Sequence, residues 1–97
     1  MESEIQRQIL DYLTAKGAFV WKNNNFGVRG RRNNSKYTPN GVPDILGIYK
    51  GIPLAIEVKS PKGKVSDEQK SFLDRFTQAF GIAFVARSLE DVVNRIA

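Results

Sequence analysis

Two short stretches of the chain hold the side chains best suited to chemistry. The first is the sequence Gly-Val-Pro-Asp that ends at Asp44, and the second is Glu-Val-Lys at residues 57–59. An acid that begins one apolar run and an acid-x-Lys in the next can bring two carboxylates and an ammonium to one point. Such a set suits a divalent cation that holds a water against a phosphodiester. The pattern therefore predicts metal-assisted phosphodiester hydrolysis.

Glu57 and Lys59 are predicted to project from the same face of one strand. Side chains alternate along a strand, so the apolar residues between and before these two face the other way. Carboxylates as close as Asp44 and Glu57 would repel each other, and the pKa of one would rise unless a cation lay between them. The alternative is a solvated strand face with a surface ion pair, worth about 0–1 kcal/mol.

The composition limits which metal and which catalytic chemistry the chain can use. Histidine and cysteine are both absent from its 97 residues. This excludes Ser-His-Asp and Cys-His catalysis, and zinc sites built on imidazole or thiolate. A metal must then be held by oxygen, which favours Mg²⁺ or Mn²⁺. The glycines form neither a Walker nor a Rossmann loop, so we expect no nucleotide cofactor.

The first predicted helix offers two candidates for a third metal ligand. Glu2 lies three residues before Ile5 and seven before Ile9, on the apolar stripe, so it should face the sheet. Glu4 falls on the polar face of the same helix. We favour Glu2. Alternatively, either acid could simply complement the positive end of the helix, a gain of about 0.3–1 kcal/mol.

Basic residues are concentrated in one part of the chain. Fifteen Lys+Arg against ten Asp+Glu give a net charge of +5, and no acid occurs between residues 12 and 43. Arg and Lys neutralise phosphates, while Asn and Ser can donate to backbone oxygens or base edges. The alternative is a solvated basic loop. We predict a phosphate-binding surface, which becomes a DNA-binding surface if the family resemblance described below holds, formed by Lys22, Arg29, Arg31, Arg32, Lys36, Lys62 and Lys64.

The elements that position these residues follow from periodicity and turn signals. We predict a helix over 2–15, strands over 18–22, 44–49, 54–59 and 82–86, and helices that begin after Ser66 and Ser88. A turn is expected at 50–53 and a long loop over 23–40, which could include a short strand near Phe26 and Val28. The fold class is α/β, a mixed sheet flanked by helices.

The apolar faces of the later helices are predicted from their spacing. Gln69 follows Ser66 by three residues, the arrangement of a capping box, although capping could be its only role. The helix that begins after Ser66 should end at Gly81. Its apolar face is predicted at Phe72, Leu73, Phe76 and Phe80, and that of the last helix at Leu89, Val92, Val93 and Ile96.

These motifs together resemble a known family. The chain is similar to stand-alone VRR-NUC domains (virus-type replication-repair nucleases), a branch of the PD-(D/E)XK nuclease superfamily, and the resemblance covers nearly the whole chain. Its most specific parts are the Gly-Val-Pro-Asp motif and Ile-Glu-Val-Lys at residues 56–59. The remaining parts are Glu2-x-x-Ile5-Gln6 and Ser66-x-x-Gln69.

The resemblance implies a restriction-endonuclease-like αβββαβ core and Mg²⁺- or Mn²⁺-dependent cleavage of DNA. It implies metal ligands at the acid of the first helix, at Asp44, at Glu57 and at the Val58 carbonyl. Lys59 would orient or deprotonate the attacking water, and Gln69 would steady Lys59 or that water. Short stand-alone members look like homodimeric Holliday junction resolvases, so a homodimer acting on branched DNA is expected.

Several alternatives to a junction-specific nuclease stay open. They are a nonspecific or nicking nuclease, a DNA-binding module without catalysis, and a protein–protein adaptor. The length fits one domain over residues 1–97. No apolar run approaches the roughly 20 residues of a membrane span, and no signal peptide precedes the first helix. We therefore expect no membrane partner and a cytoplasmic location, in a bacterial cell or a phage-infected host.

Overall fold

A computed structural model describes residues 2–23 and 39–97 of the chain. The elements are α1 Glu2–Ala15, β1 Phe19–Lys22, β2 Ile45–Tyr49, β3 Ile52–Val58, α2 Asp67–Gln78, β4 Ile82–Ala86 and α3 Leu89–Arg95. The predicted order α-β-β-β-α-β-α is confirmed. Most of the predicted loop over 23–40, with its short strand near Phe26 and Val28, lies outside the described residues.

The four strands form one mixed sheet in the order β1-β2-β3-β4. β1 and β2 are antiparallel, β2 and β3 are antiparallel, and β3 and β4 are parallel. A parallel pair needs a crossover connection, and α2 supplies it. The carboxyl ends of β3 and β4 therefore lie at the same end of the sheet. The residues that follow the two strands meet there.

A two-residue turn joins β2 to β3. Tyr49 pairs with Ile52, and the two residues between them both have positive φ, 52° at Lys50 and 80° at Gly51. Positive φ at both central positions is the requirement of a type I′ turn, whose twist matches that of the flanking strands. This short turn sets the register of the whole hairpin.

The predicted turn over 50–53 was too long, because Pro53 belongs to β3. A proline cannot donate to a strand ladder, which is why it suggested a break. In β3 the N–H groups of alternate residues point toward β4, and Pro53 is one of the residues on that side. Pairing with β4 begins only at Leu54, opposite Ile82. No hydrogen bond to β4 is therefore lost because Pro53 has no N–H.

The main core lies between one face of the sheet and the helices α1 and α3. The Tyr12 hydroxyl donates to the Ile96 carbonyl at 2.8 Å and ties the two helices together. Val93 was predicted to be buried but is 36% exposed, because the short α3 presents only one stripe to the sheet. The buried cluster is Ile9, Leu13, Ala18, Ile45, Leu54, Ile56, Val58, Phe84, Ala86, Val92 and Ile96.

The opposite face of the sheet is covered by α2 over β3 and β4. Leu73 is buried there, and the Phe72 and Phe76 rings stack at a centroid distance of 5.7 Å. Phe80 was predicted to share this apolar face but is 91% exposed. The helix ends at Gln78, and Phe80 adopts φ of 72°, so the chain has left the helical stripe before it reaches this residue.

No helix in the described part of the chain is long and apolar enough to span a bilayer.

Candidate active site

The hairpin register places Asp44 beside Glu57. Ile45 pairs with Ile56, so the next position along the ladder sets Asp44 opposite Glu57 on the same sheet face. The Asp44 Oδ2 accepts a hydrogen bond from the Val58 N–H at 3.0 Å. Asp44 lies just before β2 begins, and this bond fixes its carboxylate at the end of β3.

The Gly-x-Pro-Asp segment before β2 packs tightly against α2. Gly41 has φ of 73°, and a Cβ there would lie 2.5 Å from the Glu68 carbonyl carbon and oxygen. Only glycine combines this backbone conformation with so close an approach. Pro43 is fully buried. The motif therefore anchors the backbone that carries Asp44 against the first turn of α2.

Glu57 is buried and is held from two sides. It is 4% exposed, which contradicts the alternative of a solvated strand face. The Gln69 amide Nε2 donates to Glu57 Oε2 at 3.1 Å, and Lys59 Nζ lies 3.5 Å from the same oxygen. The Lys59 side chain, on the same sheet face, is 17% exposed. A buried carboxylate and an ammonium with partial access to solvent are thus fixed side by side.

Gln69 connects the helix cap to the site. The Ser66 hydroxyl accepts from the Gln69 N–H at 3.1 Å, and the Gln69 amide oxygen accepts from the Ser66 N–H at 2.9 Å. The predicted capping box is therefore confirmed. Because the amide oxygen is engaged at Ser66, the amide nitrogen points to Glu57, so capping is not the only role of this side chain.

The electrostatics of the site favour a cation. Burial, followed by the negative charge of Asp44, raises the pKa of Glu57 from 4.5 to about 7, and the nearby Lys59 opposes this rise. A cation between the two acids would stabilise both charged forms and reverse the shift. The side-chain atoms of Asp44 and Glu57 that would bind the cation are all oxygens, the ligands that Mg²⁺ and Mn²⁺ prefer.

The Val58 carbonyl can contribute a third oxygen. The Val58 N–H donates to Asp44, whereas the next N–H, that of Lys59, donates to Ala86 of β4 at 3.0 Å. In extended backbone the carbonyl of a residue points to the same side as its N–H, so the Val58 oxygen lies on the Asp44 side. Among residues 2–23 and 39–97, no three acidic side chains stand close enough to hold an ion. Mg²⁺ commonly binds one or two carboxylates and keeps several waters, which fits two acids plus a carbonyl.

The first helix brings Glu2, rather than Glu4, to the end of β3. The Glu2 Oε2 accepts a hydrogen bond from the Ser60 N–H at 3.1 Å. Glu2 was expected on the buried stripe, yet it is exposed, because α1 begins here at the rim of the sheet. Its carboxylate nevertheless lies next to the residue that follows Lys59.

Arg87 is a residue that sequence reasoning missed. It follows β4 directly, at the edge where β3 also ends, and its own N–H donates to Asp91 Oδ2 at 2.8 Å. The only sequence signal is an arginine immediately after a strand, which is weak. The Arg87 Nη1 donates to three carbonyl oxygens, those of Ser60 at 2.7 Å, Pro61 at 3.3 Å and Gly63 at 2.8 Å.

The three hydrogen bonds from Arg87 hold the loop that carries part of the predicted basic surface. Lys62 and Lys64 are exposed on the loop that Arg87 holds, directly after the site. Lys22 is exposed on β1, but it pairs with Ile45 and so lies on the face opposite to Asp44. The other predicted DNA-binding residues, Arg29, Arg31, Arg32 and Lys36, lie outside the described residues.

The raised pKa of Glu57 predicts how stability depends on pH. The folded chain binds a proton at Glu57 more tightly than the unfolded chain, so this contribution is complete below about pH 4.5 and is lost as pH rises through about 7. The metal-free protein should lose about 1–3 kcal/mol of unfolding free energy between about pH 5 and 8. Urea denaturation in EDTA measures this. Glu57→Gln is the control, and equal losses in both chains would contradict the raised pKa.

Comparisons with known proteins identify one family. The sequence model of the VRR-NUC domain matches residues 2–90. A solved structure described as "VRR_NUC domain" is 27% identical, with a TM-score of 0.73 over 98% of this chain and 92% of the other. A second, described as "VRR_NUC domain protein", is 20% identical, with a TM-score of 0.61 over 99% of this chain and 84% of the other, and supports the fold alone. No curated protein matches the chain.

The resemblance seen in the sequence is therefore confirmed, and so is the α/β fold class with its αβββαβ core. Since the family match extends from α1 into α3, the chain belongs to the VRR-NUC family of nuclease domains.

Proposed function

We propose that this chain is a metal-dependent DNA endonuclease that acts on branched DNA. One observation carries the proposal: the buried Glu57 carboxylate is held beside Asp44, with Lys59 Nζ 3.5 Å away. Two adjacent acids destabilise each other without a cation, and a structural role alone gives no reason to place a buried carboxylate beside a second, half-buried one. Because the chain belongs to a family of nuclease domains, we take phosphodiester hydrolysis as the reaction that these residues would support.

The residues that would hold Mg²⁺ or Mn²⁺ are Asp44, Glu57 and the Val58 carbonyl, with Glu2 beside them. When bound, the cation would polarise the phosphoryl group and lower the pKa of a water. The protein supplies a rigid setting for this. Asp44 is fixed by the Val58 N–H, and Glu57 is fixed by Gln69.

Lys59 is the residue best placed to act on the reacting atoms. Its ammonium projects from the same sheet face as Glu57 and retains partial access to solvent. There it would orient the attacking water and stabilise the negative charge that develops on the phosphoryl oxygens. Gln69 steadies Lys59 indirectly, through the Glu57 oxygen that both side chains approach.

The charge distribution supports DNA as the substrate. The net charge is +5, and Lys62 and Lys64 stand exposed on the loop that leaves the site. Lysines so placed would contact phosphates next to the scissile bond. We further propose a homodimer, in which two such sites would address two strands of a junction.

Cleavage of a labelled four-way junction, compared with a matched linear duplex, tests this function. Paired symmetric cuts should form with Mg²⁺ or Mn²⁺ and not with EDTA, and the junction should be preferred. Equal rates on both substrates would favour a nonspecific or nicking nuclease. Salt-dependent binding without cutting would leave a DNA-binding module, and absence of such binding would leave an adaptor.

Glu2→Gln should slow cleavage by about 10–100-fold, whereas Glu4→Gln should change it less than about twofold. The reason is that only the Glu2 carboxylate reaches the end of β3, where it accepts from Ser60. Both acids lie in the first turn of α1 and are exposed, so the helix loses a similar dipole interaction in each variant. Initial rates over a Mg²⁺ titration measure the difference. Equal losses in the two variants would show that the effect comes from the helix and not from the site.

A further inference from the structure

The sheet face that carries the two acids also carries an exposed aromatic surface. Phe19 is 72% exposed and Trp21 is 43% exposed, both on β1, and Ile48 of β2 is 48% exposed. The Phe19 and Trp21 ring centroids are 5.4 Å apart. We call these three residues the aromatic face. On the same side of the sheet α2 contacts β3 and β4, so the aromatic face stands beside that helix.

The aromatic face is continuous with the candidate active site. Trp21 pairs with Leu46, which lies two residues after Asp44 on the same side of the sheet. Two residues of strand span about 7 Å, so Trp21 lies diagonally across from Asp44, the nearer of the two acids, while Glu57 lies one strand further away. Phe19 pairs with Ile48 and lies two residues further from Asp44 along the same strand face. The Asn23 N–H donates to the Asp44 carbonyl at 2.7 Å, so the two strands stay paired up to the site.

We propose that Trp21 and Phe19 form a stacking platform for unpaired nucleobases next to the phosphodiester to be cleaved. This inference rests on the proposed function and makes its substrate more specific, as DNA with unpaired bases close to the cut. Every base has a π-face, and stacking on an aromatic side chain contributes about 1–3 kcal/mol per base. Aromatic side chains two residues apart on one strand face present two such surfaces in a row.

Charge favours DNA as the occupant of the aromatic face. Lys59 faces the same side as the aromatic face, and Lys62 and Lys64 follow it on the loop beyond. The phosphates attached to stacked bases would therefore lie close to the ammonium groups of these lysines.

The single tryptophan makes the platform directly observable. Trp21 is the only tryptophan in the chain, so its fluorescence reports this position alone. We would titrate the whole chain, in EDTA to prevent cutting, with a single-stranded oligothymidylate of about ten nucleotides. An abasic strand of the same length is the matched probe. The oligothymidylate should quench the fluorescence and bind more tightly, because only it carries bases.

Substitutions on the aromatic face measure the stacking contribution. Phe19→Thr and Trp21→Thr keep a residue suited to strands, and each should weaken oligothymidylate binding about 5–150-fold, followed by anisotropy of a labelled strand. Ile48→Thr removes an exposed apolar side chain without a ring and should have little effect. Phe80→Asn removes an exposed ring at the far end of α2, where asparagine tolerates the positive φ, and is the second control.

The outcomes separate the platform from the nuclease activity. Equal quenching by the abasic strand, or unchanged affinity in both aromatic variants, would overturn the platform even if junctions are cut. Base-dependent quenching in a chain that cuts nothing would support the platform and contradict the nuclease. Sedimentation tests the rival occupant: if Phe19→Thr, Trp21→Thr and Ile48→Thr all dissociate a dimer and none weakens base binding, the face is a protein interface and the proposal is wrong.

Discussion

Glu57→Gln should slow DNA cleavage about a thousandfold or more without loss of the fold. A bound cation contributes several kcal/mol of charge stabilisation in the transition state, and each 1.4 kcal/mol corresponds to about tenfold in rate. Glutamine keeps the shape of Glu57 and can still pair with Gln69, but it removes the negative charge that a cation requires. The assay is the junction cleavage rate at saturating Mg²⁺.

The same variant separates function from stability. Burial and the charge of Asp44 make ionised Glu57 costly in the metal-free chain, so Glu57→Gln should be as stable as the natural chain at about pH 8, or more stable. Added Mg²⁺ should raise the Tm of the natural chain and leave that of the variant unchanged. Glu90→Gln, at an exposed position of α3, is the matched control and should cleave normally. A Glu57→Gln chain that cuts within about threefold of the natural rate would remove the proposed metal site.

Much of this site could be predicted from local sequence because a hairpin is a local structure. The turn at Lys50 and Gly51 sets Asp44 opposite Glu57, whereas the longer turn predicted over 50–53 would shift the pairing by two residues and set Asp44 opposite Lys59, still on the same face. Alternation then puts Lys59 on the same face as Glu57. Neither step requires knowledge of how the rest of the chain packs. The Ser66–Gln69 capping box was predictable for the same reason, since its partners are three residues apart.

The contacts that local patterns missed depend on how distant elements pack. The Gln69 amide reaches Glu57 only because α2 crosses over the end of β3, and Arg87 reaches Ser60 across 27 positions in the chain. Periodicity also predicted too much burial. Phe80 continues a helical spacing, but the helix ends before it, and a spacing carries no information about where the backbone leaves the helix.

Lys59→Met should lower kcat about 10²–10⁴-fold with little change in KM. Methionine retains most of the apolar stem but has no positive charge to orient the water or stabilise the phosphoryl oxygens. An effect on kcat and not on KM identifies an interaction made mainly in the transition state. Lys62→Met, three residues away on the exposed loop, should instead weaken binding a few-fold in a salt-dependent way.

A pH series shows whether Lys59 acts on the substrate or only on Glu57. Lys59 lowers the pKa of Glu57, so its removal should leave Glu57 more protonated and the site less able to bind a cation near neutral pH. That part of the defect would disappear as pH rises to about 9, where Glu57 is ionised in either chain. The loss of direct contact with the reacting atoms would persist at every pH. We expect the ratio of natural to variant rates to fall with pH but to level off well above unity. A ratio that falls to one would make Lys59 a positioning residue for Glu57, and the water would then be oriented by another group.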